Sequence, residues 1–174
     1  EYFINKTKKV WNYSLLTDED VSNFANGNNY QLYKKFGSHS ILVEDTWGMY
    51  FCVWAPNATR ISVKGNFNDW TNDEYELYPR WDNSGIWEGF IPGFKLGEAY
   101  KYHITGINGY KALKADPYAF FSEIRPATAS ITRSFNYKWQ DRSWMRKRQK
   151  NNSLNAPWNV YEMHLGSWMR PDRN

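Results

Sequence analysis

The sequence is short of nearly everything that would announce a chemistry. One cysteine, Cys52, among 174 residues excludes an intramolecular disulfide. It fits a reducing compartment, and a cytoplasmic setting is the expectation. No apolar run approaches the ~20 residues a membrane-spanning helix needs. Mean hydropathy is -0.79 and no charged-then-apolar leader opens the chain, so no membrane is expected as a partner. Charge of one sign is scarce too: 22 Lys plus Arg against 18 Asp plus Glu leaves +4, a surplus too small to demand nucleic acid. The three histidines, His39, His103 and His164, are scattered. There is no phosphate-cradling glycine loop, so no metal, cofactor or nucleophile constellation can be assembled. The paired carboxylates Asp18-Glu19-Asp20 and Asp73-Glu74 sit at a helix start and in a polar turn, where capping and solvation account for them. No catalytic residue is expected within these 174.

What is abundant is aromatic. Ten Trp, thirteen Tyr and ten Phe make up 19% of the chain. Rings at this density fill a β-rich core or form plates for flat, weakly apolar ligands, because they offer large area at little rotamer cost. The start at Glu1 and the end in an apolar-then-turn pattern suggest a piece of a longer protein.

Periodicity divides the chain. Residues 1–45 read as a helical lead-in: Thr17 caps a helix through Asp20, Val21, Phe24 and Ala25, Asn26-Gly27 stops it, and a second short helix fits Tyr30–Phe36. From about Gly48 the period becomes 2. Met49, Phe51, Val53 and Ala55 alternate with polar or outward residues, then Ile61, Val63, Gly65 and Phe67. Further strands fit Ile86–Ile91, Ala99–Thr105 and Ser130–Phe135, with 106–135 otherwise rich in turns. Short strands punctuated by Gly, Pro and Asn predict a mainly β domain over 46–135, an antiparallel β-sandwich. Residues 136–156, with Arg142, Arg146, Lys147, Arg148 and Lys150, read as a basic, partly helical linker. A new apolar run, Trp158–Leu165, opens residues 157–174.

One stretch carries the composition of a sugar site. Asn66-Phe67-Asn68-Asp69-Trp70 places an indole in a bend after a strand, among amides. A pyranose has an apolar C–H face and a polar rim, so its site needs an aromatic plate beside planar hydrogen-bonding groups. Trp70 with Asn66 or Asn68 supplies both; an indole tucked against the sandwich is the structural alternative. Lys101, outward by alternation, can donate to hydroxyls or simply be solvated. Tyr110, after Asn108-Gly109, is a second plate or surface packing, and Trp81 a weaker one. Trp54 and Trp87 lie within strands and are assigned to packing.

Residues 51–58 and 63–70, Phe-Cys-Val-Trp-Ala-Pro-Asn-Ala and Val-Lys-Gly-Asn-Phe-Asn-Asp-Trp, resemble the starch- and glycogen-binding module that precedes the barrel in many α-amylase-family enzymes, carbohydrate-binding module family 48. Ser84-Gly85-Ile86-Trp87-Glu88, Tyr100-Lys101-Tyr102 and Lys114-Ala115-Asp116-Pro117-Tyr118-Ala119 continue in the same order. Arg125-Pro126-Ala127-Thr128-Ala129-Ser130 and Val160-Tyr161-Glu162-Met163-His164-Leu165-Gly166-Ser167-Trp168 look like the 1,4-α-glucan (glycogen) branching enzymes. The resemblance runs from about residue 15 to the end.

The resemblance implies an immunoglobulin-like sandwich, a linker, and the truncated first strand of a (β/α)8 barrel at about Trp158–Leu165. The carboxylates of that barrel would lie in later strands. The activity it implies is a retaining double displacement that cleaves an α-1,4 bond and passes the chain to a 6-hydroxyl. The implied partners are α-glucans (glycogen, amylose, maltooligosaccharides) and the catalytic barrel of the same polypeptide, with no cofactor. In related modules a Trp after an Asn-Phe-Asn-like strand end and a Lys in a Tyr-Lys strand hold sugar, which maps to Trp70 and Lys101. The second aromatic, usually Trp, corresponds to Tyr110 in a longer loop. A stand-alone glycogen-sensing module, like the regulatory β subunit of an energy-sensing kinase, is the alternative. Residues 158–168 count against it. Nucleic-acid binding through aromatics and residues 142–150 rests on composition alone.

Overall fold

The computed structural model describes residues 5–71, 73–134 and 137–168. The chain divides into two compact units, Glu1–Phe135 and Asn136–Asn174.

In the first unit the alternating segments form two antiparallel sheets. Sheet A contains β1 (Gly37–Val43), β2 (Thr46–Trp54), β4 (Tyr78–Pro79) and β5 (Ile86–Pro92), in the order β1-β2-β5-β4. Sheet B contains β3 (Ala58–Gly65), β6 (Ala99–Gly106), β7 (Lys111–Lys114), β8 (Phe121–Ser122) and β9 (Ser130–Ile131). β6 pairs β3 along one edge, while β7 and β9 share the other. The inward residues of both sheets meet in one core: Met49, Phe51 and Val53 of β2, Ile61 and Val63 of β3, Trp87 and Ile91 of β5, Tyr100 and Tyr102 of β6. Phe51, wholly buried, packs edge-on against Tyr100 at 5.1 Å. Each such side chain contributes about 1.5–3 kcal/mol on burial.

The lead-in explains why β2 is buried on both faces. Its helix α1 (Asp18–Ala25) forms the expected capping box, Thr17 to Asp20 and back. The segment before it crosses sheet A: Trp11 exchanges backbone hydrogen bonds with Phe90 of β5, at 2.7 and 2.9 Å. Trp11, Leu16 and Phe36 then cover Tyr50, Cys52, Ile86 and Phe90, closing a second core on the outside of the sheet. A buried ion pair ties the layers together. Arg80 Nη1 donates to Glu88 Oε1 at 3.1 Å and to Ser14 Oγ at 2.7 Å, while Glu88 Oε2 accepts from Tyr50 Oη and Ser14 Oγ. Burial raises the Glu88 carboxyl above its usual range in spite of those donors.

Several expectations need correction. The helix placed at Tyr30–Phe36 is a single 3-10 turn, Leu32–Lys34, because the chain must open at Gly37 (φ 93) into β1. The lead-in therefore ends near residue 36, not 45. The turn-rich stretch holds a four-residue strand, β7, and the last strand stops at Ile131; Phe135 lies outside the described residues. Trp54, assigned to packing, is 52% exposed.

The second unit contains α2 (Arg142–Asn151) and a short α3 (Leu165–Trp168). The expected strand at Trp158–Leu165 is absent: residues 158–164 have no regular structure, and Val160, Met163 and Leu165 are exposed. A strand needs a neighbour to satisfy its backbone, and no strand lies among the described residues of this unit. Residues 169–174 lie outside the described residues.

Candidate functional site

The site begins where β3 ends. Gly65 passes so near β6 that a Cβ there would stand 2.1 Å from the Ala99 carbonyl and 2.6 Å from the Phe67 ring, so the position tolerates no side chain. Beyond it a 3-10 turn, Asn66–Asn68, reverses the chain. Asn68 is 8% exposed; its Oδ1 accepts the Gly65 amide at 2.9 Å and its Nδ2 donates to the Val63 carbonyl at 3.2 Å. This corrects the sequence reading: Asn68 is the lock of the loop, with its amide turned toward backbone and not toward a sugar.

Asp69 and Trp70 follow with φ of 51 and 61. Two consecutive left-handed residues are costly, the Trp most of all, since its side chain gains nothing there that Asn or Asp would. Such strain persists only where surrounding bonds impose it, and it concentrates at functional positions. Here the Trp70 amide donates to the Gly65 carbonyl at 3.1 Å. The indole Nε1 donates to Asn66 Oδ1 at 2.9 Å. The ring is thus fixed while remaining partly open to solvent.

The outward face of β3 and β6 adjoins this loop. Gly65 lies opposite Tyr100 and Lys64 opposite Lys101, so Lys101 is one rung from the residue that anchors Trp70. Lys101 Nζ donates to Thr128 Oγ1 at 2.7 Å. Lys64 Nζ reaches the Thr71 carbonyl at 3.4 Å and Asp73 Oδ1 at 3.1 Å. Asp73 is the hub of the face: Ser62 Oγ donates to it at 2.6 Å and His103 Nδ1 lies 2.8 Å away. Partial burial acts to raise the Asp73 carboxyl, but hydrogen bonds from Ser62, His103 and Lys64 outweigh it and hold the group well below the usual carboxylate range. The sequence alone reads Asp73 as a solvated turn residue and gives Thr128 no part in this face. Only the strand register, which sets Ser62 opposite His103 and Lys64 opposite Lys101, identifies the face they complete.

The other two plates lie elsewhere. The Tyr110 carbonyl accepts from Gly106 N at 2.8 Å, at the far end of β6. Five residues separate Lys101 from Gly106, about 17 Å of strand. Tyr110 lines a groove with Ala55, Pro56, Asn57 and Ile107. Trp81 follows β4 of sheet A, with the Arg80 guanidinium 4.2 Å from its ring centroid. Trp70 and Asn66 are thus joined side chain to side chain, Lys101 lies one rung along β6 from the partner of Gly65, and Tyr110 and Trp81 lie elsewhere because turn position along a strand decides which end a residue occupies. Among the described residues no group of His, Cys, Asp and Glu could hold a metal ion.

Residues 35–119 match the family model of carbohydrate-binding module 48, the isoamylase N-terminal domain. These residues are a family 48 carbohydrate-binding module. The chain around the module also has curated relatives. It is 48% identical over 155 residues to a 1,4-alpha-glucan branching enzyme of Thermosynechococcus vestitus, covering 88% of this chain and 20% of that protein. It is 47% identical over 159 residues to one of Desulfitobacterium hafniense, covering 91% and 25%. The chain thus spans a fifth to a quarter of the length of these relatives. Among solved structures, a pullulanase from Bacillus acidopullulyticus superposes on 61% of this chain and 12% of its own, with TM-score 0.48 and 23% identity.

Proposed function

We propose that this chain is the glucan-binding N-terminal region of a 1,4-α-glucan branching enzyme, and that the module holds α-glucan chains on the Trp70 plate. The observation that carries the site is the Trp70 indole, held in a left-handed backbone by Gly65 and clamped by Asn66. Its ring face meets the C–H face of a glucose unit, and the Asn66 side chain lies at its edge. Lys101 donates to the sugar rim after exchanging its Thr128 partner for a hydroxyl. The near-half identity to named branching enzymes over most of the chain supports the parent activity over a stand-alone sensing module.

In that setting the module works by proximity. A glucan retained on the sandwich raises the concentration of chain ends at a catalytic barrel on the same polypeptide, so even a weak site has an effect. The bond chemistry belongs to the barrel and not to the module, and the protein acts in the cytoplasm, where Cys52 stays a thiol.

Isothermal titration of the 174-residue chain with maltoheptaose tests the ligand class. Weak, saturable binding that hardly changes as salt rises is expected of a neutral sugar. Affinity found only for polyanions, collapsing with salt, would replace the reading with one of nucleic-acid binding.

A further inference from the structure

The loop that carries Trp70 is closed at its base: Val63 N donates to the Tyr75 carbonyl at 2.9 Å, and the chain then runs back beside β3. Above that closure the segment beyond Trp70 lies on the outer face of sheet B. One buried lysine gathers it. Lys64, 8% exposed, points its Nζ at the Thr71 carbonyl (3.4 Å) and at Asp73 Oδ1 (3.1 Å). Asp73 is held in turn by Ser62 Oγ and His103 Nδ1, the next facing pair on that side of the sheet, and Arg60 Nη2 donates to its carbonyl at 3.4 Å. The lysine's own rung needs a counter-charge, because Lys64 stands directly opposite Lys101 and two like charges so placed repel. Asp73 supplies it. Lys64 is drawn to Asp73, while Lys101 turns to Thr128 Oγ1 at 2.7 Å.

We infer that Lys64 and Asp73 act as one clamp that sets the Trp70 plate beside Lys101, which makes both of them positioning residues of the glucan site. The inference rests on the reading of Trp70 as a glucan plate, and neither residue touches the sugar. The Trp70 amide is bonded to Gly65, its indole to Asn66, and Thr71 turns back to Asn68, so all of these bonds stay within residues 65–71. The clamp is what ties the segment after the ring to β3 and β6. A buried cation and its carboxylate work as a unit, since removing either leaves the other without its partner. Without Asp73, Lys64 faces Lys101 uncompensated and turns toward solvent, releasing the Thr71 carbonyl; without Lys64, that carbonyl loses its donor directly. Either way the ring is less fixed, and ordering it becomes a cost of binding. A released Lys64 also brings a second ammonium beside Lys101, so plate and donor are disturbed together.

The test is a double-mutant cycle on the 174-residue chain with D73A, K64M and the double variant. It is read by calorimetric titration with maltoheptaose and by the Trp70 indole Nε1–H signal in ¹H–¹⁵N spectra, assigned with W70F. Each single variant is expected to weaken binding roughly tenfold, about 1.4 kcal/mol, and to move the ligand-free indole signal toward its position in N66A, where the ring has lost its acceptor. The double variant should bind about as well as either single one, because a unit can be broken only once. D73N, which keeps an acceptor oxygen for Ser62 and His103 but removes the charge, covers the case in which D73A does not fold, and should move the indole signal in the same direction. S14A, which weakens the ion-pair network of sheet A instead, should leave both readouts at wild type and so separates positioning from a general loss of stability. Losses that add in the double variant, or affinity and indole signal unchanged in folded D73A and K64M, would overturn the clamp and leave the glucan reading standing. A wild-type chain that does not bind maltoheptaose would overturn the glucan reading and with it the role assigned to the clamp.

Discussion

Asn66 and Trp70 are joined side chain to side chain, the indole N–H donating to the amide oxygen at 2.9 Å across four residues of loop. The bond lies at the surface, so it contributes little to folding and much to where the ring points. Asn66→Ala should leave thermal stability within about 0.5 kcal/mol and weaken maltoheptaose binding several-fold. Calorimetric titration beside a melting curve separates the two effects.

Asn68 is the opposite case. Removing its side chain strands the Gly65 amide and the Val63 carbonyl, both buried, and an unsatisfied buried group costs about 1–3 kcal/mol. Asn68→Ala should therefore lower the unfolding free energy by that order in urea denaturation, and lose glucan affinity as the loop loosens. Asn68→Asp, which keeps the acceptor for Gly65 and loses the donor to Val63, should fall between.

The acid limb of stability should depend on Asp73. Its folded-state pKa is depressed by Ser62, His103 and Lys64, so its contribution is fully present above the unfolded value near 3.9 and is lost as pH falls toward the folded value. The gap in unfolding free energy between wild type and Asp73→Asn should be constant above about pH 5 and narrow on acidification. Glu88 and Asp116, whose carboxyls burial raises, act with the opposite sign and bind protons more readily folded. A gap that widened on acidification would exclude Asp73 as the cause.

Breaking the Arg80–Glu88 pair leaves a charge buried without its partner. Arg80→Ala should cost about 3–5 kcal/mol and release the lead-in from sheet A, because Ser14 and Asp18 lose the same guanidinium. Amide exchange would then rise first at residues 10–20.

Strands β2, β3, β5 and β6 were legible in the sequence because their inward residues recur at period 2, and α1 because its capping box is local. β1 was hidden, since Gly37–Val43 is covered on one face by the lead-in and shows no clean alternation. β7, four residues long with only Ala112 half-buried, had too little pattern to register. The Trp70 loop was legible as a composition, but the division of labour within it was not. Asn66 and Asn68 are the same residue type two positions apart, and only backbone geometry turns one toward the indole and the other toward the strand. Tyr110 and Trp81 were credible plates by type. Register places one at the far end of β6 and the other on the opposite sheet.

The most direct measurement is the affinity of folded Trp70→Ala chain for maltoheptaose by isothermal titration. The expected result is loss of the binding predicted for wild type, at an unchanged melting temperature, because the residue supplies a plate and not a support. Wild-type affinity retained in that folded variant would show that glucose rings do not rest on this indole.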